Sequence, residues 1–235
     1  MNEAARLDAV VAAEARLLRT LDAMDEGDLR GASLCAGWTR GHVLAHVALD
    51  AHSLVNLFEW ARTGSETPQY PSWEERDADI ERYAARSLEE HRDALSAAGA
   101  AFAAAARAVP AARWAFPVRG IVGELRPAES FLFARLREVE IHHVDLAAGY
   151  GPRDWSGDFV RRVLEQVPDR LGPDVDEPFV AVAADTGTRI HVGAGSATTE
   201  VAGPGDALLA WLLGRSDGSG LNATGGSLPR VPPWR

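Results

Sequence analysis

Apolar residues recur every three to four positions from Glu3 to about Met24, at Leu7, Val10 or Val11, Leu17, Leu18 and Leu21. That period predicts an amphipathic helix. After a Gly-containing loop, Thr39 stands where a helix N-cap belongs, and Val43, Leu44, Val47, Leu54, Val55, Leu57 and Phe58 carry a second helix to about Arg62, with Gly64 placed to end it. Ser72-Trp73-Glu74-Glu75 has the spacing of a capping box and opens a third helical region, which runs through an Ala-rich stretch to Pro110 with a break near Ser87. A fourth helix is expected from near Pro127, a residue tolerated in a first helical turn, to about Ala148. Four such segments joined by loops predict an up-and-down helical bundle.

Beyond Gly149-Tyr150-Gly151-Pro152 the pattern changes. One helix, Asp158 to about Arg170, precedes PFVAVAAD, TRIHVG and TTEVAG, short β-branched runs bounded by Gly, Pro and Asp that predict strands. A last helix, Asp206 to Leu213, is stopped by Gly214, and the tail SLPRVPPWR is too proline-rich for regular structure. The expected fold class is therefore α+β, with a helical bundle over residues 1–150 and a smaller α+β domain over 151–235. No internal repeat is visible.

Composition narrows the function. With 46% hydrophobic and 25% charged residues the chain is of the globular type. It has no apolar run of membrane-spanning length, and its first residues interleave charges at helical spacing where a signal peptide would be apolar, so a cytoplasmic protein is expected, with no membrane partner. A net charge of −10 without a basic stripe argues against nucleic-acid binding. All 24 basic residues are arginine, which excludes Schiff-base chemistry and a phosphate-loop lysine. The single cysteine, Cys35, rules out an internal disulfide and a cysteine-rich zinc site, and a lone thiol in this context reads as a small packing residue.

Against that background RLREVEIHHVDL is unusual, because Glu138, Glu140, His142, His143 and Asp145 crowd a segment that otherwise reads as buried helix. Buried ionisable groups need partners or a metal. Residues four apart share a helix face, so Glu138 and His142 can point into one volume, as can His42 and His46 on the second helix. Bundles build metal sites from such facing pairs, and a set of nitrogen and oxygen ligands with an open position is the catalytic arrangement for zinc. An ordinary intrahelical Glu–His pair would produce the same spacing. Spacing also leaves open which of His42 and His46, and which of His142 and His143, would ligate.

Three blocks, GWTRGHVLAHVALDAHSLVNLFEWARTGSETPQY, LREVEIHHVDLAAGY and LLGRSDGSG, closely resemble the mycothiol-dependent maleylpyruvate isomerase family, in the right order and over nearly the whole chain. The resemblance implies a DinB-like four-helix bundle that holds a zinc ion, with a smaller C-terminal domain closing over the site. It implies that the metal ligands are His46, Glu138 and His142, which leaves His42 and His143 in supporting or packing roles. Arg76, in YPSWEERDADI, and Arg215, in LLGRSDGSG, match family positions near the site and are the candidate catalytic residues, Arg215 also as a contact for the thiol cofactor. Solvated surface arginine is the alternative for both.

The activity implied is cis-to-trans isomerisation of maleylpyruvate to fumarylpyruvate in gentisate degradation, with Zn2+ and a small-molecule thiol, mycothiol or alternatively ergothioneine. Adding a thiolate to the alkene leaves a single bond that can rotate before the thiol departs. A planar guanidinium suits the carboxylates of a dicarboxylate substrate. Two other readings share the site: a zinc-dependent S-transferase that conjugates the thiol and stops there, and a zinc- or thiol-binding protein without turnover. Nothing in the sequence marks an oligomeric partner.

Overall fold

The computed structural model describes residues 2–121 and 123–234. Contacts group the chain into two compact units, one ending at Tyr150 and one beginning at Gly151. The first contains α1 (Glu3–Leu21), α2 (Arg40–Thr63), α3 (Trp73–Ala84), α4 (Leu88–Ala108), the short strands β1 (Pro117–Arg119) and β2 (Leu125–Pro127), and α5 (Ser130–Asp145). Helices α1, α2, α4 and α5 pack against one another as the bundle, and α3 lies against α2.

Local chemistry explains the boundaries. Side chains of Asn2, Thr39, Ser72 and Ser87 each accept a hydrogen bond from a first-turn N–H, which satisfies donors that a helix start leaves open. Gly64, at φ 84°, closes α2 in the left-handed conformation that glycine adopts without strain. Helix α2 is buried around most of its circumference, from Val43, Leu44 and Val47 to Leu57, Phe58 and Ala61, so it is the centre of the bundle. Its first turn runs so close to α3 that a Cβ on Gly41 would stand 2.6 Å from the Ala84 carbonyl oxygen.

The third helical region resolves into α3 and α4, separated at Ala85–Ser87 where Ser87 and Glu90 form a capping box. The helix expected from near Pro127 starts instead at Ser130. Pro127 closes a hairpin in which it pairs with Pro117, and the Ala128 and Glu129 N–H groups donate to Phe116 and Trp114 carbonyls at 3.0 and 3.1 Å. That ladder occupies the residues that would have made the helix's first turn.

The second unit contains α6 (Gly157–Leu164), α7 (Val167–Leu171), β3 (Phe179–Ala183), β4 (Thr188–Val192), β5 (Thr199–Gly203), α8 (Gly205–Leu212) and β6 (Asn222–Ala223). The sheet order is β4-β3-β5-β6, with β3 parallel to β5 and the other pairings antiparallel. The single helix expected to Arg170 is two helices, because Pro168 has no N–H for the Leu164 carbonyl and its ring crowds that turn. Strand β6 is too short to have shown a period. Helix α8 packs on α6 and the sheet.

One buried charge fixes the bundle's register. Arg135 on α5 is 1% exposed. Its Nε and Nη2 donate to Glu14 Oε1 on α1 at 2.9 and 2.8 Å, and its Nη1 donates to the Val47 carbonyl and Asp50 Oδ2 on α2 at 2.8 and 3.0 Å. One planar fork thus joins three helices. Replacing it leaves two carboxylates without their cation, so Arg135→Met is expected to lower unfolding free energy by about 3–5 kcal/mol. The buried Asp50 carboxyl, already raised by burial, would lose the guanidinium that lowers it and rise further. The folded variant binds more protons than its unfolded chain, and its deficit should shrink as pH falls; denaturant titrations at pH 5 and 8 check both points.

Candidate metal centre

Helix α5 presents Glu138 and His142 one turn apart, and α2 presents His46 opposite them. His46 Nε2 and His142 Nε2 stand 3.2 and 3.4 Å from the same carboxylate atom, Glu138 Oε2. The two imidazoles meet edge-on with centroids 4.6 Å apart. Their donor atoms and the carboxylate oxygen lie within 4.8 Å of one another. All three side chains are buried or partly so, and their charges answer one another. Burial raises the Glu138 pKa, but hydrogen bonds from His142 and His46 outweigh it and hold the carboxyl well below the ordinary range. Burial lowers the His142 pKa, but hydrogen bonds to Asp145, Cys35 and Glu138 reverse it and raise the value well above 6.5. His46, where burial prevails over its bond to Glu138, is lowered.

His142 is held from behind. Its Nδ1 lies 2.8 Å from Asp145 Oδ2, and the Cys35 thiol donates to that same oxygen at 3.1 Å. Asp145 is fully buried, and the backbone N–H of Leu34 donates to its carbonyl at 2.9 Å, so the loop carrying Cys35 and Trp38 is tied to the end of α5. Trp38 packs on the His46 ring at 5.6 Å between centroids. An imidazole that donates from one nitrogen to a buried carboxylate and offers the other to a shared volume is the usual arrangement of a metal-ligating histidine. Two imidazoles and one carboxylate fit a divalent ion of the zinc class. Cys35, His142 and Asp145 form another close group of donors, but it uses the Nδ1 side of His142 and its thiol is already donating to Asp145, which suits the support of His142.

The other sequence candidates are placed as follows. His42 Nδ1 sits 2.7 Å from Thr39 Oγ1 within the N-cap of α2, and its Nε2 lies 3.2 Å from Glu81 Oε2 on α3. His143 turns toward α1, where its Nε2 is 2.7 Å from Thr20 Oγ1 and its ring stacks on Tyr150 at 3.7 Å. Glu140, on that same face, is bonded by Arg16 and by the Tyr150 hydroxyl. Arg76 on α3 reaches the candidate centre: its Nη2 is 3.2 Å from His46 Nδ1, its Nη1 donates to Asp77 at 2.7 Å, and its guanidinium lies by the rings of Tyr70 and Trp73. Arg215 follows α8 in the second unit, where it donates to the Leu213 carbonyl at 2.7 Å.

The sequence alone assigns no role to Asp145 or Trp38. For Asp145 the signal was present, since it stands three residues after His142 on the same helix. Trp38 stands in the GWTRGHVLAH block, but that block does not say that its ring packs on His46.

Residues 10–147 match the family model described as the mycothiol maleylpyruvate isomerase N-terminal domain. The chain belongs to that family. The crystal structure of the mycothiol-dependent maleylpyruvate isomerase is 29% identical in sequence, superimposes with a TM-score of 0.94, and the match covers 100% of this chain and 98% of that one. A histidine-to-alanine mutant of that enzyme matches with a TM-score of 0.93 at the same identity and coverage. No curated protein matches the chain. No helix among the described residues is long and apolar enough to cross a membrane.

If Asp145 fixes the His142 ring, Asp145→Asn should weaken divalent-metal affinity about 10- to 100-fold with little change in fold. Competition against a chromophoric chelator measures the first quantity and circular dichroism the second.

Proposed function

We propose that this family member is a zinc- and thiol-dependent isomerase that converts maleylpyruvate to fumarylpyruvate, with His46, Glu138 and His142 as the metal ligands. The observation that carries the reading is the convergence of two imidazole Nε2 atoms on one Glu138 oxygen, in a chain that matches a mycothiol-dependent maleylpyruvate isomerase over its full length. Zinc, when bound, supplies a Lewis acid that favours the thiolate form of a thiol whose ordinary pKa is near 8.5.

The chain's own residues supply the rest. Asp145 holds His142 with Nδ1 facing away from the ligand volume, so its Nε2 is the nitrogen offered inward. Trp38 packs on the His46 ring, and Tyr70 and Trp73 flank Arg76. The Arg76 guanidinium can take a substrate carboxylate through two parallel N–H bonds. Arg215 is proposed as the second cation, for the other carboxylate or for the thiol. Reversible addition of the thiolate turns the double bond into a single bond about which the substrate rotates, and loss of the thiolate restores the alkene and returns the thiol. No redox change is required.

Zinc-loaded protein offered maleylpyruvate with mycothiol, ergothioneine, glutathione or no thiol should change the substrate's ultraviolet absorbance with mycothiol and leave that thiol unconsumed. Accumulation of a stable thioether would identify an S-transferase, and stoichiometric zinc with no absorbance change under any thiol would identify a binding protein. His46→Ala and His142→Ala should each lose zinc and turnover together. A His46→Ala protein with full zinc and full turnover would refute the ligand assignment.

Arg215→Met should behave differently. It is expected to raise KM for substrate or thiol at least tenfold while zinc content stays at the native level. Parallel metal analysis and kinetics check this, and equal loss of both would place Arg215 in the support of the metal.

A further inference from the structure

We infer that Arg40 is a positioning residue for the candidate metal centre: it clasps the strained C-terminal end of α5 to the loop before α2, and so holds Asp145 where it orients His142. The inference rests on the ligand assignment proposed above. Arg40 is the first residue of α2, and its side chain joins that loop to α5. Its Nε donates to the Leu146 carbonyl at 2.6 Å, its Nη1 donates to the Asp28 carbonyl at 3.2 Å, and the Asp28 carboxylate lies 3.8 Å from that nitrogen. The backbone N–H of Arg40 donates to the Gly31 carbonyl at 3.0 Å, and Ala32 bridges Thr39, so the loop closes on itself at the arginine. Gly31 makes room for this arrangement. A Cβ there would run into Arg40 Nη1, although its φ of −65° suits any L residue.

The helix end needs holding. Ala147, next after Leu146, has a φ of 49°, and it is the one non-glycine with a positive φ among the described residues. In that left-handed conformation a Cβ crowds the following carbonyl oxygen, so it persists only where the surroundings over-determine it. Here the carbonyls of the two preceding residues are both tied to the loop, Leu146 by Arg40 and Asp145 by the Leu34 N–H at 2.9 Å. The Asp145 carboxylate in turn meets His142 Nδ1 at 2.8 Å and takes the Cys35 thiol at 3.1 Å. Loop, helix end and imidazole are therefore one connected piece. Loosening the clasp lets Ala147 relax, and that relaxation carries Asp145 away from His142.

Variants of the whole protein test this. Arg40→Met removes the clasp, Gly31→Ala keeps the arginine but evicts it from its seat, and Arg40→Met with Ala147→Gly removes the strain as well. The first two should each weaken zinc affinity about tenfold by chelator competition, shift the visible spectrum of the cobalt-substituted protein, and speed hydrogen exchange at the Leu34 N–H. Adding Ala147→Gly should recover most of the affinity lost in Arg40→Met, because glycine takes the left-handed conformation without strain. A lower melting temperature in Arg40→Met with native zinc affinity and a native cobalt spectrum would make Arg40 a source of stability only and overturn the clasp. So would a lowered affinity that Ala147→Gly leaves unrestored. Where Arg40→Met does not fold, native affinity in Gly31→Ala overturns it. A native protein that binds no zinc sinks the ligand assignment, and Leu34 exchange in the variants then judges the clasp by itself, unchanged rates refuting it.

Discussion

Everything at the candidate centre depends on how far α2 and α5 are slid along one another, and Arg135 sets that position. Along α2, Asp50 follows His46 by one turn; along α5, Arg135 precedes Glu138 by nearly one turn. With Arg135 bonded to Asp50 and to the Val47 carbonyl, His46 is brought opposite Glu138. Apolar packing alone specifies such a register weakly, since leucine and valine ridges fit neighbouring grooves at more than one offset. A guanidinium with fixed donor directions, buried to 1%, tolerates one. Its bonds to Glu14 extend the constraint to α1, so the three helices are set by one residue.

Helix α5 carries two separate electrostatic assemblies. On the side facing α2, Glu138, His142 and Asp145 form a chain that ends at His46. On the side facing α1, Glu140 is satisfied by Arg16 and Tyr150, and His143 by Thr20 and the Tyr150 ring. The charge density of this segment is thus two problems with two solutions. The α1-facing assembly is closed: each of its carboxylate oxygens has a donor. The α2-facing one instead turns two imidazoles on a single oxygen, which is the condition under which a cation adds something protons supply less well.

Much of this was legible in the sequence, for identifiable reasons. Periodicity located α1 and α2, whose apolar positions repeat cleanly, capping residues located the starts of α2 and α3, and the break expected near Ser87 falls where α4 begins. It misplaced the start of α5, because the hairpin before it consists of strands three residues long, too short to alternate. Spacing grouped His42 with His46 and could not choose between them. In the structure Thr39 Oγ1 stands 2.7 Å from His42 Nδ1 at the helix cap, a local bond that a facing-pair argument ignores. Likewise His143 is committed by Thr20 on another helix. Arg135 was invisible because an arginine inside a helical pattern reads as a solvated side chain, and only the convergence of Glu14 and Asp50 on it shows otherwise.

The same electrostatics bears on why an acidic chain would suit an anionic substrate. A net charge of −10 repels a dicarboxylate at long range, and screening confines that repulsion to about 10 Å at moderate ionic strength. Inside that distance the local balance decides. On the proposed reading, Glu138 is the one charged ligand, so a divalent ion keeps part of its charge, and Arg76 adds a second positive centre beside it. His142 is anchored by a carboxylate that is fully buried and accepts from Nδ1 and from the Cys35 thiol, which puts that negative charge on the Nδ1 side of the ring, away from Nε2. Asp145 thus lies on the Nδ1 side of His142, and Arg76 on the Nδ1 side of His46. For a dicarboxylate this local balance counts for more than the overall charge, and it is assembled from three helices: α5 supplies Glu138 and His142, α2 supplies His46 and α3 supplies Arg76.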